Sequence, residues 1–258
     1  MTPEFVLRER PDEGVLLLRL NRPERRNALA TPLLTALADA LVETDRDDSI
    51  KAVVITGGDS LFAAGADIGE LAASGSDDPI ESPRYQAWQV IRAFPKPLLA
   101  AVEGWCLGAG AELMMCCDIV IAGEGARFGQ PETNLGIMPG AGGTATLTRL
   151  VGRALAMRMV LTGEPIDAGA ALAAGLIAEV VPAGSATSQA SALATKIARR
   201  APLALREAKA SIRDASSLAE ADHIRAERKR FIALLGSADK AEGIAAFHEK
   251  RAADWKGI

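Results

Sequence analysis

Apolar residues recur along the chain in two alternating rhythms. Short, nearly unbroken runs rich in Val, Ile and Leu predict buried strands: "VLLLRL" at 15–20, "KAVVITGG" at 51–58, "KPLLAAVEG" at 96–104 and "DIVIAGE" at 118–124. Between them lie stretches with helical spacing. "TPLLTALADALVETD" (31–45) reads as a helix with Thr31 as N-cap and Pro32 at the first helical position. A second helix is predicted over 80–93, and a short one over "GAGAELMMCC". From Thr144 onward the pattern is mostly helical, with one strand, "LIAEVV" (176–181), and then helices at about 185–200, 202–214, 218–235 and 239–247. Repeated strand–helix order implies an α/β core with buried, largely parallel strands. The division expected is a core over 1–190 and a helical C-terminal region over 191–258.

Composition narrows the function classes. With 258 residues and 49% hydrophobic content the chain buries a sizeable core. Its formal net charge of -4 argues against general nucleic-acid affinity. The sign is uneven: residues 195–258 carry 14 Lys/Arg against 9 Asp/Glu, so the acidic excess lies in the rest and the tail is where an anion is welcome. No uninterrupted apolar run approaches the roughly 18 residues of a membrane span, and no secretory signal is visible at the N-terminus, so a cytoplasmic protein without membrane contact is expected. Cys106, Cys116 and Cys117 are an odd count without a CxxC, and His223 and His248 stand far from them. No metal site is expected.

Three Gly/Ala-rich loops follow strands, and in such loops backbone N–H groups can approach a ligand closely. "GAGAEL" (108–113) is a weak echo of a dinucleotide fingerprint, but no acidic residue follows at the end of the next strand as that motif requires. Glu112 falls in the first turn of its helix, where the helix dipole alone would account for an acid. Glu132 follows Gln130-Pro131, and "PE" is also a common helix start. Each acid taken alone reads more readily as structural than as chemical; together, both rising from Gly-rich segments, they are a candidate acid/base pair.

These residues resemble a known family. "NRPERRNAL" (21–29), "FAAGADI" (62–68), "KPLLAAVEGWCLGAGAEL" (96–113), "CDIVIAGEGARFGQPETNLGIMPGAGGT" (117–144) and "GIAAFHEKR" (243–251) are similar, in order and spacing, to the crotonase (enoyl-CoA hydratase/isomerase) superfamily. The resemblance implies a crotonase-like spiral of ββα units with a helical C-terminal region, and hydration of a 2-enoyl-CoA to a 3-hydroxyacyl-CoA. It implies an oxyanion hole from the N–H groups of Ala66 and Ala109, with Glu112 and Glu132 as the acids around the water. Coenzyme A, part of the substrate rather than a separate cofactor, would lie against Arg26, Ala28, Ala64, Asp67 and Ile68. Phe247 and Lys250 would complete the nucleotide site of a neighbouring subunit in a homohexamer built as a dimer of trimers.

Two details bear on the subfamily. "LGAG", "LGIMPGAGG" and the tail "DWKGI" most resemble hydratases of aerobic phenylacetate breakdown, which act on a dehydroadipyl thioester. The acyl pocket is expected along 69–94, where a dicarboxylic chain would want a cation; Arg84 and Arg92 are available, though a solvated helix face explains both equally. The alternatives are a 3,2-enoyl-CoA isomerase and, outside enzymes, an RNA- or CoA-binding protein. The 31–48 helix has no lysine and several acids, which speaks against RNA.

Overall fold

The computed structural model describes residues 4–77 and 79–258. Its main sheet has six strands, β1 (Val6–Asp12), β2 (Val15–Leu20), β3 (Ala52–Thr56), β5 (Leu98–Val102), β7 (Ile119–Gly123) and β10 (Glu179–Val181), adjacent in that order. All neighbours are parallel except the β1–β2 hairpin. A smaller sheet holds β4 (Leu61–Ala63), β6 (Trp105–Leu107), β8 (Arg127–Gly129) and β9 (Ile166–Asp167). Its first three strands are parallel and β9 is antiparallel.

The chain therefore climbs by a repeated step. β3 of the large sheet leads to β4 of the small one and then to helix α2 (Ile68–Ala73); β5 leads to β6 and then α4 (Ala109–Met114). Each step delivers a strand end and a helix start to one side of the small sheet. At the corner between β5 and β6 the chains almost touch: a Cβ on Gly104 would stand 2.0 Å from the Ser60 carbonyl oxygen. No residue but glycine fits there.

Alternation along the strands splits the core into two layers. Leu16, Leu18, Val53, Ile55, Leu98 and Ala100 face one layer, shared with Leu33, Leu34, Leu37 and Leu41 of helix α1 (Thr31–Arg46). Val15, Leu17, Val54, Leu99 and Ala101 face the other, covered by Ala186, Ala190 and Ala194 of α7 (Ala186–Ala198). Small residues let α7 sit close on the sheet. Truncating a wholly buried leucine such as Leu37 to alanine removes about 2–5 kcal/mol.

Several expectations change. Residue 190 lies inside α7, whose alanines pack on the main sheet, so the boundary expected at 190/191 cuts a helix of the core. Helix α8 (Pro202–Asp214) follows, and Lys209 ties it back by donating to the Lys96 carbonyl at 2.6 Å and pairing with Asp118 at 2.6 Å. Thr31 is not an N-cap: Ala30 holds that position without a side-chain cap, and Thr31 and Pro32 are already helical. The cap comes from elsewhere in the chain. Both Glu70 oxygens accept from the Thr31 N–H at 2.9 Å, and the Thr31 hydroxyl donates to Oε2 at 3.0 Å. Helix α3 (Pro83–Ala93) starts three residues later than expected, capped by the Ser82 hydroxyl.

Candidate active site

Two loops at the same edge of the small sheet frame a cavity of about 590 Å³. The first runs from the end of β4 through Gly65 to Ala66, and a single parallel bridge joins Ala66 to Leu29. It is fixed by Asn27, 2% exposed, whose amide nitrogen donates to the carbonyls of Gly57 at 2.8 Å and Phe62 at 3.1 Å. Arg26 and Asn27 both hold φ near 52°, uncommon for residues with a Cβ. The backbone there is shaped to bring Arg26 and Ala28 alongside: Ala64 donates to the Arg26 carbonyl at 3.0 Å and Leu29 to that of Gly65 at 2.8 Å.

The second loop is Leu107–Ala109, where β6 turns into α4. Gly108 has φ 50° and ψ -125°, and a Cβ on it would meet Glu132 Oε1 at 2.9 Å and Gly65 Cα at 3.7 Å. Gly108 thus lets both the first loop and an acid lie against the second. Among the described residues the N–H groups of Ala66 and Ala109 donate no hydrogen bond, and both residues line the cavity. Ala109 is the first residue of its helix, so its N–H has no intrahelical acceptor.

Glu112 and Glu132 line this same cavity. Glu112, 4% exposed on α4, is held at one oxygen only: Oε1 accepts from the Ala141 N–H at 2.7 Å and the Gly143 N–H at 2.8 Å. Burial pushes its pKa up, while these two N–H donors and then Arg92 pull it down; burial prevails. Arg92 reinforces the loop by donating to the Ala141 carbonyl.

Glu132 opens a 3-10 turn, Glu132–Leu135, after Pro131. Burial raises its pKa to about 7, with its own backbone N–H opposing and the charge of Glu112 adding to the rise. Its partner is Gln130, fully buried: with the carboxamide turned to offer its nitrogen, Nε2 donates to Oε1 at 3.0 Å and Oε2 at 3.1 Å. The opposite turn points the amide oxygen at the carboxyl, with Nε2 3.5 Å from the Gly108 carbonyl, and suits Glu132 only when protonated.

The remaining expected residues divide. Ala64 and Ile68 line the cavity beside Ala66. The Asp67 side chain is committed elsewhere, to Arg22 at 2.6 Å and to the N-terminus of α2, so only its backbone is available to a ligand. Phe247 and Lys250 lie at the end of α10 (Ala238–Glu249), exposed and not among the cavity-lining residues. The cysteines are packing: Cys116 and Cys117 donate to the carbonyls of Glu112 and Leu113, and burial lifts the Cys116 thiol to about 11. Local sequence rules do not mark Asn27, Gln130 or Arg92 as supports for these loops and acids; a Gln before Pro-Glu is the one local signal.

A cavity that brings two backbone N–H donors together with two carboxyl groups can polarise a carbonyl and hold an acid and a base beside it. Comparison with known proteins agrees. The profile of the family described as "Enoyl-CoA hydratase/isomerase" matches residues 10–258. The 2,3-dehydroadipyl-CoA hydratase of Escherichia coli K12 is 49% identical over 95% of this chain and 96% of its own. The mitochondrial enoyl-CoA hydratase of Pongo abelii is 41% identical over 98% of this chain and 88% of its own. Among solved structures, an enoyl-CoA hydratase from Bacillus anthracis superposes with a TM-score of 0.93 at 33% identity, covering 98% of this chain and all of that one. The chain belongs to the enoyl-CoA hydratase/isomerase family, with the crotonase fold. It is an enzyme of the enoyl-CoA hydratase type.

Proposed function

We propose that the Ala66 and Ala109 N–H groups bind the thioester oxygen of a 2-enoyl-CoA while Glu112 and Glu132 deliver the elements of water across its double bond. The carrying observation is the convergence of both unpaired donors and both acids on one cavity. Glu112 takes a proton from water as its oxygen bonds to C3; the π electrons move onto the thioester oxygen, where two fixed donors meet the developing charge. Each such donor contributes about 10²–10³ in rate. Glu132 then gives its proton to C2 as the enolate collapses. A raised pKa fits Glu132 for that donation, and the two N–H bonds fit Glu112 to stay ionised as the base.

In the same reading coenzyme A lies along Arg26, Ala28, Ala64, Ile68 and the Asp67 backbone. Phe247 and Lys250 serve a neighbouring subunit of a homohexamer. Self-association is supported by exposed apolar side chains on the C-terminal helices, among them Ile212, Phe231 and Phe247. A cytoplasmic setting is supported by three cysteines, none of them bridged. 2,3-Dehydroadipyl-CoA is the preferred substrate by likeness to the E. coli relative. Separate incubations with crotonyl-CoA and a 3-enoyl-CoA test the reading: loss of enone absorbance with appearance of 3-hydroxybutyryl-CoA supports hydration. Turnover of the 3-enoyl-CoA to the 2-enoyl isomer alone would replace it with the isomerase.

A further inference from the structure

Besides the two glutamates, the charged side chains lining the cavity among the described residues are Arg84 and Arg92, both on α3. Arg92 is occupied with the loop that holds Glu112. Arg84 is in a different state. Its Nη1 donates to the Leu29 carbonyl at 2.7 Å and stands 3.7 Å from Glu70 Oε2, beyond hydrogen-bond reach. Glu70 is already engaged by Thr31.

Among the described residues Arg84 makes no other hydrogen bond, so its Nε and Nη2 lack acceptors. Burial acts on the guanidinium more strongly than Glu70, Glu112 and Asp67 offset it. One turn along the same face, the buried Trp88 also lines the cavity, and its indole N–H has no partner. A half-buried guanidinium with free donors matches a planar carboxylate presented side-on.

We propose that Arg84 receives a free carboxylate at the far end of the acyl chain, making the cavity selective for a six-carbon dicarboxylic 2-enoyl-CoA. This rests on the hydration reading, because the thioester oxygen on Ala66 and Ala109 fixes where the chain ends. In such a substrate the terminal carboxyl carbon is three bonds beyond C3. The receptor must therefore be close to the acids that act at C2 and C3, and Arg84 shares their cavity and is near enough to feel the charge of Glu112. Without a cation, the substrate's carboxylate would enter a space that already holds the carboxyl groups of Glu112 and Glu132. Arg84 turns that repulsion into recognition, while a chain ending in methyl leaves the free Nε and Nη2 donors of the guanidinium without acceptors.

The test compares kcat/KM for 2,3-dehydroadipyl-CoA and 2-hexenoyl-CoA, equal in carbon number, with crotonyl-CoA as a control for hydration itself. The wild type is expected to favour the dicarboxylic substrate by about 10²-fold or more, as sites built around a polar group reject analogues lacking it. Arg84→Leu should reverse the preference, and Arg84→Lys should keep part of it. If the wild type hydrates crotonyl-CoA but shows no preference between the six-carbon substrates, or if Arg84→Leu keeps the wild-type ratio, the inference is overturned while the hydratase reading stands. If none of the three is hydrated, both fall.

Discussion

The two acids of the cavity share a residue type and differ in almost everything around it. Glu112 is anchored on a helix, nearly sealed from solvent, with two backbone N–H groups on one oxygen and Arg92 bracing the loop behind them. Glu132 stands on a 3-10 turn against Gly108, with a neutral amide for a neighbour and a pKa raised to about 7. Burial raises both; at Glu112 it is opposed by the N–H groups of Ala141 and Gly143, at Glu132 by its own backbone N–H alone. Backbone N–H groups can only donate, whereas the Gln130 carboxamide can donate to the Glu132 carboxylate or accept a hydrogen bond from its protonated form. In the proposed mechanism this difference separates the carboxylate that accepts a proton, Glu112, from the carboxyl that gives one, Glu132.

The largest effect should come from removing the proton carrier. Glu132→Gln keeps the shape and hydrogen-bonding capacity but loses the titrating group, and kcat for crotonyl-CoA is expected to fall about 10³-fold with little change in CoA-thioester binding. Retention of most of kcat would return Glu132 to a structural role. Gly108→Ala comes next. Its methyl would intrude on Glu132 Oε1 at a backbone angle that disfavours a side chain, so both the acid and the adjoining donor loop must shift. About a 10²-fold loss is expected with the fold retained, measured by kcat beside a thermal melt.

The pH dependence is a gentler probe of the same contrast. In the proposed mechanism the active form carries one proton over the two acids, on Glu132 before hydration and on Glu112 after it. Above pH about 7 the pair loses that proton and kcat/KM should fall about tenfold per unit. Dehydration of the 3-hydroxyacyl-CoA must fall in parallel, since the equilibrium between the two neutral thioesters consumes no proton. Opposite pH limbs in the two directions would contradict a shared proton.

How much of this was legible follows from physical causes. Strands β2, β3, β5 and β7 are long enough, and buried on both faces, to leave unbroken Val/Ile/Leu runs. The small sheet left no such trace: "LFA", "WCL" and "RFG" are three residues each, too short for any period to show. β1 was hidden because most of its positions face solvent and carry charge, as an edge strand should. Glu112 and Glu132 stood out through family resemblance; by local rules each was only an acid at the start of a turn. The donors that set Glu112 apart, the N–H groups of Ala141 and Gly143, belong to the backbone and leave no mark in the side-chain pattern; the Glu70 cap on Thr31 is equally hidden, because it joins residues 39 apart.

If Glu112 and Glu132 act as one unit on one water, kcat for crotonyl-CoA hydration in Glu112→Gln, Glu132→Gln and the double variant will show it. Glu112→Gln alone is expected to lose at least about tenfold. Groups that act as a unit are not additive, so the double variant should be about as slow as Glu132→Gln alone, within about threefold. Losses that multiply in the double variant, or a single variant that keeps the wild-type rate, would contradict the account.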